Sequence, residues 1–256
     1  MQLKYSITGK NILHQSPNID PYLHVSNIYP HLMNFVSYKW WARYIYTITK
    51  IKTVRKPAVL EIASGNCLMA KYLIKFYPDY IASDISLSML KASEQNITRV
   101  CCDMCCLPFN KKFDLIISSF DSVNYITNKK TLLKTFKGIS NLLNKKGIFT
   151  FDAALENNSY KHEKTASKKG KISGFIYFRE SKFLAGSKIH KNIFTIQYPD
   201  GKVFTETHKQ KIYPLELFYE IAEKSGLQVV NCYKAFSFQK GKANSDRVQF
   251  IMKRKD

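Results

Sequence analysis

From Ala58 to Asp152, short apolar runs alternate with stretches whose apolar residues recur every three or four positions. "AVLEIA" reads as a buried strand, after which Met69, Tyr72, Leu73 and Phe76 mark one face of a helix. "DYIASD" is a second strand, and "SLSMLKASEQN" follows as a helix with Ser86 or Ser88 placed to cap it. "ITRVCCD" and "KFDLIISSF" read as a third and a fourth strand. Leu132, Phe136, Ile139 and Leu143 then make a helical face ending near Gly147, and "GIFTFDA" closes as a fifth strand. Strands alternating with helices at this spacing predict an α/β fold, a mainly parallel sheet with helices on both faces.

The pattern differs on either side. Tyr38 to Ile51 is aromatic-rich and amphipathic, and with "NIYPHLMNF" it predicts a helical cap over residues 1–55. After the fifth strand, "ENNSYKHEKTASKKGKIS" is polar and predicts a mobile loop. "GFIYFRESKFLAG", "SKIHKNIFTIQY" and "KVFTETHKQKIY" then alternate as three antiparallel strands, the last two joined through "PDG". The loop and this β excursion occupy 153–213. Pro214 opens a further helix that Gly226 stops, and "LQVVNCYKAFSF" and "DRVQFIMKR" read as the last strands. The core is therefore expected over 56–152 and 214–256. There are no internal repeats.

Composition narrows the class. A chain of 256 residues that is 45% hydrophobic buries a full core. The start, MQLKYSITGKN, has no apolar signal core, and nowhere is there an apolar run of about 18 residues, so a soluble, cytoplasmic protein without a membrane span is expected. The six cysteines crowd into "CCDMCC" apart from Cys67 and Cys232, a poor disulfide framework. Cys102 and Cys105 have metal-ligand spacing but no second pair to complete a tetrahedral set, so reduced thiols and no metal are expected. A formal charge of +21 invites a nucleic-acid partner. Only six of the 40 basic residues are arginine, however, and the lysines are dispersed, which makes the charge a weak argument for base or phosphate readout.

The candidate chemistry lies at strand ends. The turn after the first parallel strand offers free backbone N–H groups and the positive end of a helix, where ligands of open α/β sheets sit. Gly65 permits a left-handed backbone there. Asp84 follows at the end of the second strand, about 20 residues on, the offset at which an acid reaches ribose hydroxyls. Asp103 ends the third strand, within reach of an adenine amino group. Each of these acids alone could equally be a helix cap.

With these residues in place, the chain resembles the class I S-adenosylmethionine-dependent methyltransferases. "LEIASGNCLMA" is similar to their acidic, glycine-rich loop, "YIASDISLSMLKAS" to their ribose-binding strand end, "CDMCCLPF" to their adenine segment, and "GIFTFDA" to their fifth strand. "FDSVNYI", the β excursion and "ETHKQKIYPLELFYEIAEKSGL" resemble a small-molecule subgroup that includes amino-sugar N,N-dimethyltransferases and relatives of glycine N-methyltransferase. "IYPHLMNFVSYKWWARYI" is similar to the cap of that subgroup, with Pro30 in place of its usual Asp. The resemblance implies a Rossmann-like methyltransferase sheet with an N-terminal helical cap and a small β excursion, and S-adenosyl-L-methionine as cofactor.

It also implies roles by position. Glu61 would support the loop and the methionine amino group, and Ala63, Ser64 and Gly65 would bring backbone against the cofactor. Asp84 would bind the ribose with Ile85 beneath the adenine, Asp103 and Met104 would flank the adenine, and Ser118 would lie near the methionine end. Ala63 and Cys67 stand where the family has glycines, with Cys67 expected already inside the helix. Tyr29, Asp121, Asn124 and His208 are the candidates for catalysis near the methyl group. Tyr125 is a substrate contact, and Arg247 would meet either a substrate anion or Glu206. Against these stand plain packing for Tyr29, capping for Asp121 or Asn124, and a solvent-facing His208.

Three functions fit. The first is transfer of a methyl to a nitrogen or oxygen of a small molecule, and the second is an RNA or protein methyltransferase using the basic surface. The third is a cofactor-binding protein without catalysis. The oligomeric state is left open.

Overall fold

The computed structural model describes residues 12–14, 20–50, 55–165 and 167–255. The opening residues read above for a signal core, and Ile51 at the expected end of the cap helix, lie outside the described residues. The main sheet has the order β1-β4-β3-β2-β5-β6-β12-β11, built from β1 (Ile12–His14), β2 (Ala58–Ile62), β3 (Asp79–Asp84), β4 (Thr98–Cys101), β5 (Phe113–Ser118), β6 (Leu143–Ala154), β11 (Leu227–Lys234) and β12 (Arg247–Arg254). The strands from β1 to β6 run parallel, while β12 and then β11 join antiparallel. The chain builds outward from β2 to β3 and β4, then returns to the other side of β2 as β5. That reversal opens a crevice at the carboxyl ends of β2 and β5.

Alternation along the strands separates two apolar layers. Leu60, Ile62, Ile116, Phe149 and Phe151 pack against α5 (Lys129–Leu142) and α7 (Leu215–Lys224) on one face. Val59, Leu115, Ile117 and Ile148 pack on the other face against α2 (Tyr38–Thr49) and α3 (Ala70–Leu73), near Leu90 of α4 (Leu87–Lys91). On α5, Leu132, Phe136 and Ile139 are all fully buried, at about 1.5–3 kcal/mol each. Asn128 caps α5 and Ser86 caps α4, each through its side-chain oxygen.

Three expectations are corrected, and one element is added. The helix after β2 is one short turn, and Phe76 lies past its end, partly exposed. Gly147 sits inside β6, since α5 already ends at Leu142. A Cβ there would press on the Phe113 carbonyl at 2.9 Å, so glycine serves strand packing at this position. The polar segment expected as a loop forms α6 (Glu156–Thr165) and β7 (Lys168–Ile172). It lacks an apolar stripe and is held by tethers instead. The Phe183 N–H donates to Glu163 Oε1 (2.9 Å), Asn157 Nδ2 donates to the Asn244 carbonyl (2.7 Å), and Lys161 pairs with Asp246 (2.6 Å). The edge strand β1 was not foreseen, a three-residue element too short to carry a period.

The excursion is a four-stranded antiparallel sheet, β10-β9-β8-β7, of which β8 is Phe175–Leu184, β9 is Ile189–Gln197 and β10 is Val203–Lys211. Its inward face packs Tyr177, Phe194 and Ile196 against Val25 and Ile28 of the N-terminal segment, just before α1 (Tyr29–Leu32).

Candidate functional site

One cavity of about 800 Å³ opens over the crevice at the ends of β2 and β5. The loop after β2, the ends of β3 and β4, the loop after β5, the segment 21–41 and the inward face of the excursion all line it.

The loop after β2 bends through three left-handed residues, Ala63 (φ 54°), Gly65 (φ 56°) and Cys67 (φ 60°). Glycine suits all three positions, and this chain carries a side chain at two of them, at about 1–2 kcal/mol each. Cys67 belongs to the turn and not, as expected, to the helix, which begins at Ala70. Asp84 ties the loop down, its Oδ2 accepting from the Gly65 N–H (2.7 Å) and its Oδ1 from the Ser86 N–H (2.8 Å). Burial pushes the Asp84 carboxyl up to about 6 against the pull of these two N–H groups, with Asp20 adding to the rise. Asp20 was not singled out from sequence. It accepts from Ser86 Oγ (2.5 Å) and the Ser88 N–H (2.7 Å) and so pins the start of α4.

Ala63, Ser64, Gly65, Asp84, Ile85, Asp103 and Met104 all line the cavity. Asp103 is exposed at the rim and accepts from the Cys105 N–H (2.8 Å). Glu61 and Ser118 do not line it. Glu61 is buried behind the loop, its Oε2 accepting from the Tyr80 hydroxyl (2.9 Å), and burial raises its carboxyl to about 8. The Ser118 hydroxyl is buried with no partner among the described residues.

After β5 the chain takes two consecutive left-handed residues, Phe120 (φ 62°) and Asp121 (φ 47°). A bulky residue in that region is strained and persists only when its surroundings fix it. Here the Asp121 N–H donates to Asp152 Oδ2 (2.9 Å), Arg247 pairs with Asp121 (3.0 Å) and with Asp152, and Phe120 packs on Trp41 at 4.1 Å between ring centroids. Burial raises the Asp152 carboxyl to about 6, opposed by Arg247. Asp121 lines the cavity but is engaged by Arg247 and by Gln210 Nε2 (3.0 Å). Arg247 pairs with these two acids and not with Glu206. Asn124 does not reach the cavity. Its amide donates to the Ala154 (3.2 Å) and Lys211 (2.8 Å) carbonyls and accepts from the Ala154 N–H (3.0 Å), which stitches β6 to the end of β10.

Tyr29, Tyr125 and His208 do meet in the cavity. The Tyr22 hydroxyl donates to that of Tyr125 (2.8 Å), and the Tyr22 ring lies 4.3 Å from that of His208. Far from facing solvent, His208 is 5% exposed, with Nε2 3.4 Å from Glu206 Oε2. Sequence reasoning missed Trp41, Phe120, His162, Arg179, His190, Asn192 and Gln210, all of which line the cavity. The residues of the excursion carried a usable signal: Arg179, His190, Asn192 and Gln210 occupy inward positions of alternating strands, where polar side chains need a reason to be.

The residues fit a nucleoside cofactor that ends in an amino acid. Asp84 and Asp103 stand at successive strand ends, and Ile85 and Met104 give apolar faces. The Tyr38 hydroxyl and Trp41 Nε1, both on cavity-lining residues, are buried without a hydrogen-bond partner among the described residues and can receive one from a ligand. The reversed sheet, the acid-tethered loop and this crevice define a Rossmann-like, nucleoside-binding α/β enzyme.

Comparison with known proteins gives the particular family. Residues 59–147 match the family described as "Methyltransferase domain". The chain is 25% identical over 240 residues to the putative methyltransferase YqeM of Bacillus subtilis (strain 168), covering 88% of this chain and 94% of that protein. An S-adenosylmethionine-dependent methyltransferase from Clostridium acetobutylicum superposes with a TM-score of 0.75 at 24% identity, over 92% of this chain and 99% of that one. The sugar N-methyltransferase KedS8 from Streptoalloteichus superposes with a TM-score of 0.73 at 14% identity, over 95% and 98%. Residues 59–147 are a methyltransferase domain, and the chain around them has the fold of S-adenosylmethionine-dependent methyltransferases.

Proposed function

We propose that the enzyme methylates a nitrogen or oxygen of a small molecule held between the cap and the excursion. The observation that carries this reading is the roof of the cavity. Tyr22, Tyr29 and Trp41 from the N-terminal segment and Phe194, His208 and Gln210 from the excursion face the crevice together, leaving about 800 Å³ for cofactor and acceptor. The fold shared with a sugar N-methyltransferase is in keeping with a small acceptor.

S-adenosylmethionine supplies an electrophilic sulfonium methyl: the acceptor's lone pair forms the new bond to carbon as the carbon–sulfur pair leaves on sulfur. In this assignment Asp84 takes the ribose hydroxyls, Ile85, Asp103 and Met104 surround the adenine, and residues 63–65 present backbone to the methionine portion. Glu61 and Ser118 act from behind that loop and strand. Alignment of acceptor and methyl supplies most of the acceleration, and the aromatic walls of Tyr29 and Tyr125 do the aligning. An ammonium or hydroxyl acceptor must also lose a proton, and His208, buried beside Glu206, is the group assigned to take it. Asp121 and Asn124 hold the loop after β5 and are given no proton to move.

The test combines calorimetry with transfer. S-adenosylhomocysteine is expected to bind, and labelled methyl from S-adenosylmethionine is expected to pass to members of a panel of small amines and alcohols but not to total RNA or protein. Label appearing only in the polymers would overturn the small-acceptor reading.

A further inference from the structure

Two arginines line the cavity, no lysine does so among the described residues, and the two arginines differ in one respect. Arg247 is paired with Asp121 and Asp152. Arg179, on the inward face of β8, has no carboxylate of any described residue within ion-pair distance, although it is partly buried in the cavity wall. Its Nε (3.1 Å) and Nη2 (2.7 Å) both donate to the single oxygen Asn192 Oδ1, and its guanidinium lies 5.7 Å from the Phe194 ring centroid. The amide of Asn192 thus occupies one edge of the guanidinium and fixes its plane. The other edge, Nη1 with the second hydrogen of Nη2, donates to no described residue.

A guanidinium partly withdrawn from water without a paired anion is costly, and desolvation pulls its pKa down. We infer that Arg179 holds a carboxylate of the methyl acceptor, accepted bidentately on the free Nη1–Nη2 edge while the nucleophilic nitrogen or oxygen points to the methyl. This deepens the small-acceptor reading and rests on it.

The charge balance selects a carboxylate over a phosphate. The neighbouring His162 and His190 are 6.0 Å apart between ring centroids, and His190 Nε2 is engaged with Ser181 Oγ (2.8 Å). Burial lowers the pKa of both rings, that of His190 to about 4, so at neutral pH neither adds a positive charge, and Arg179 is the cavity-lining arginine left to match one negative charge. A planar, singly charged, two-oxygen group suits one guanidinium edge; a phosphate dianion would remain half neutralised. The cofactor's own carboxylate has separate donors at hand in the Tyr38 hydroxyl and Trp41 Nε1.

The test is titration of 13C-acetate, and separately of inorganic phosphate, into protein loaded with S-adenosylhomocysteine and into unloaded protein, followed by NMR. Wild type is expected to bind acetate saturably and more tightly than phosphate. Arg179→Gln should weaken acetate binding at least tenfold, and Arg179→Lys, which keeps the charge and loses the fork, should fall between them. Affinity for S-adenosylhomocysteine should stay within twofold in both variants, and their melting curves check folding. The assignment is overturned by equal acetate binding in wild type and Arg179→Gln, which would confine Arg179 to its packing with Asn192 and Phe194. Absence of saturable acetate binding in wild type, or tighter binding of phosphate, overturns it as well. Tenfold loss of S-adenosylhomocysteine in Arg179→Gln, with Arg179→Lys also folded, would give this arginine to the cofactor instead. Failure of wild type to bind S-adenosylhomocysteine at all would sink the cofactor placement, and acetate binding to the unloaded protein would still decide the role of Arg179.

Discussion

Asp84 carries two loads, holding the Gly65 and Ser86 N–H groups and presenting a carboxylate to the cavity. With its carboxyl at about 6, the ionised form that we assign to the ribose hydroxyls is lost as pH falls through that value. Affinity for S-adenosylhomocysteine is therefore expected to drop by about tenfold per pH unit below 6. Asp84→Asn should bind about tenfold more weakly at pH 7.5 and lose most of this dependence; calorimetry between pH 5 and 8 checks both. Glu61 gives a stability signature. Its folded value, about 8, lies above its ordinary 4.5, so between these limits the folded state keeps a proton that the unfolded chain releases, and stability falls as pH rises. Glu61→Gln removes that titration, and its advantage in unfolding free energy over wild type, read from urea unfolding, should be small at pH 5 and grow to a few kcal/mol by pH 8.5. Gly65 and Asp84 were legible in the sequence because a strand-end acid at a fixed offset from a turn glycine is a local pattern. Asp121 and Asn124 were candidates for catalysis from their place after the fourth strand, yet their partners Arg247, Ala154 and Lys211 lie far along the chain. The free edge of Arg179 was invisible, because lacking a partner is a property of three-dimensional neighbours.

Among the elements, the parallel strands and α5 followed from periodicity, since apolar faces decide them. The segment 156–172 did not, because polar tethers to distant groups, and no apolar stripe, hold it. The same kind of long-range polar contact joins the core to the excursion at Asn124. Asn124→Ala leaves a buried carbonyl, a partly buried one and one N–H short of a partner and is expected to cost about 2–4 kcal/mol. Urea unfolding measures that loss. Affinity for S-adenosylhomocysteine should change little, because Asn124 does not line the cavity.

At the scale of the whole molecule, the net charge of +21 lies outside the cavity, whose described lining includes no lysine. Turnover of a small acceptor is accordingly expected to change less than about threefold between 50 and 300 mM KCl, whereas a polymer held through many phosphates would lose orders of magnitude of affinity over that range. Among the described residues no helix is long and apolar enough to cross a membrane. The sheet reversal, the cap and the excursion converge on one crevice, and the chain's two tryptophans, Trp40 and Trp41, both stand on its wall. Trp41 is packed on Phe120 and Trp40 is half exposed beside Phe236. The protein thus has an intrinsic optical probe at its site and no other tryptophan to dilute it: emission excited near 295 nm, a wavelength that avoids the tyrosines, reports ligand entry directly and allows affinities to be read without a label.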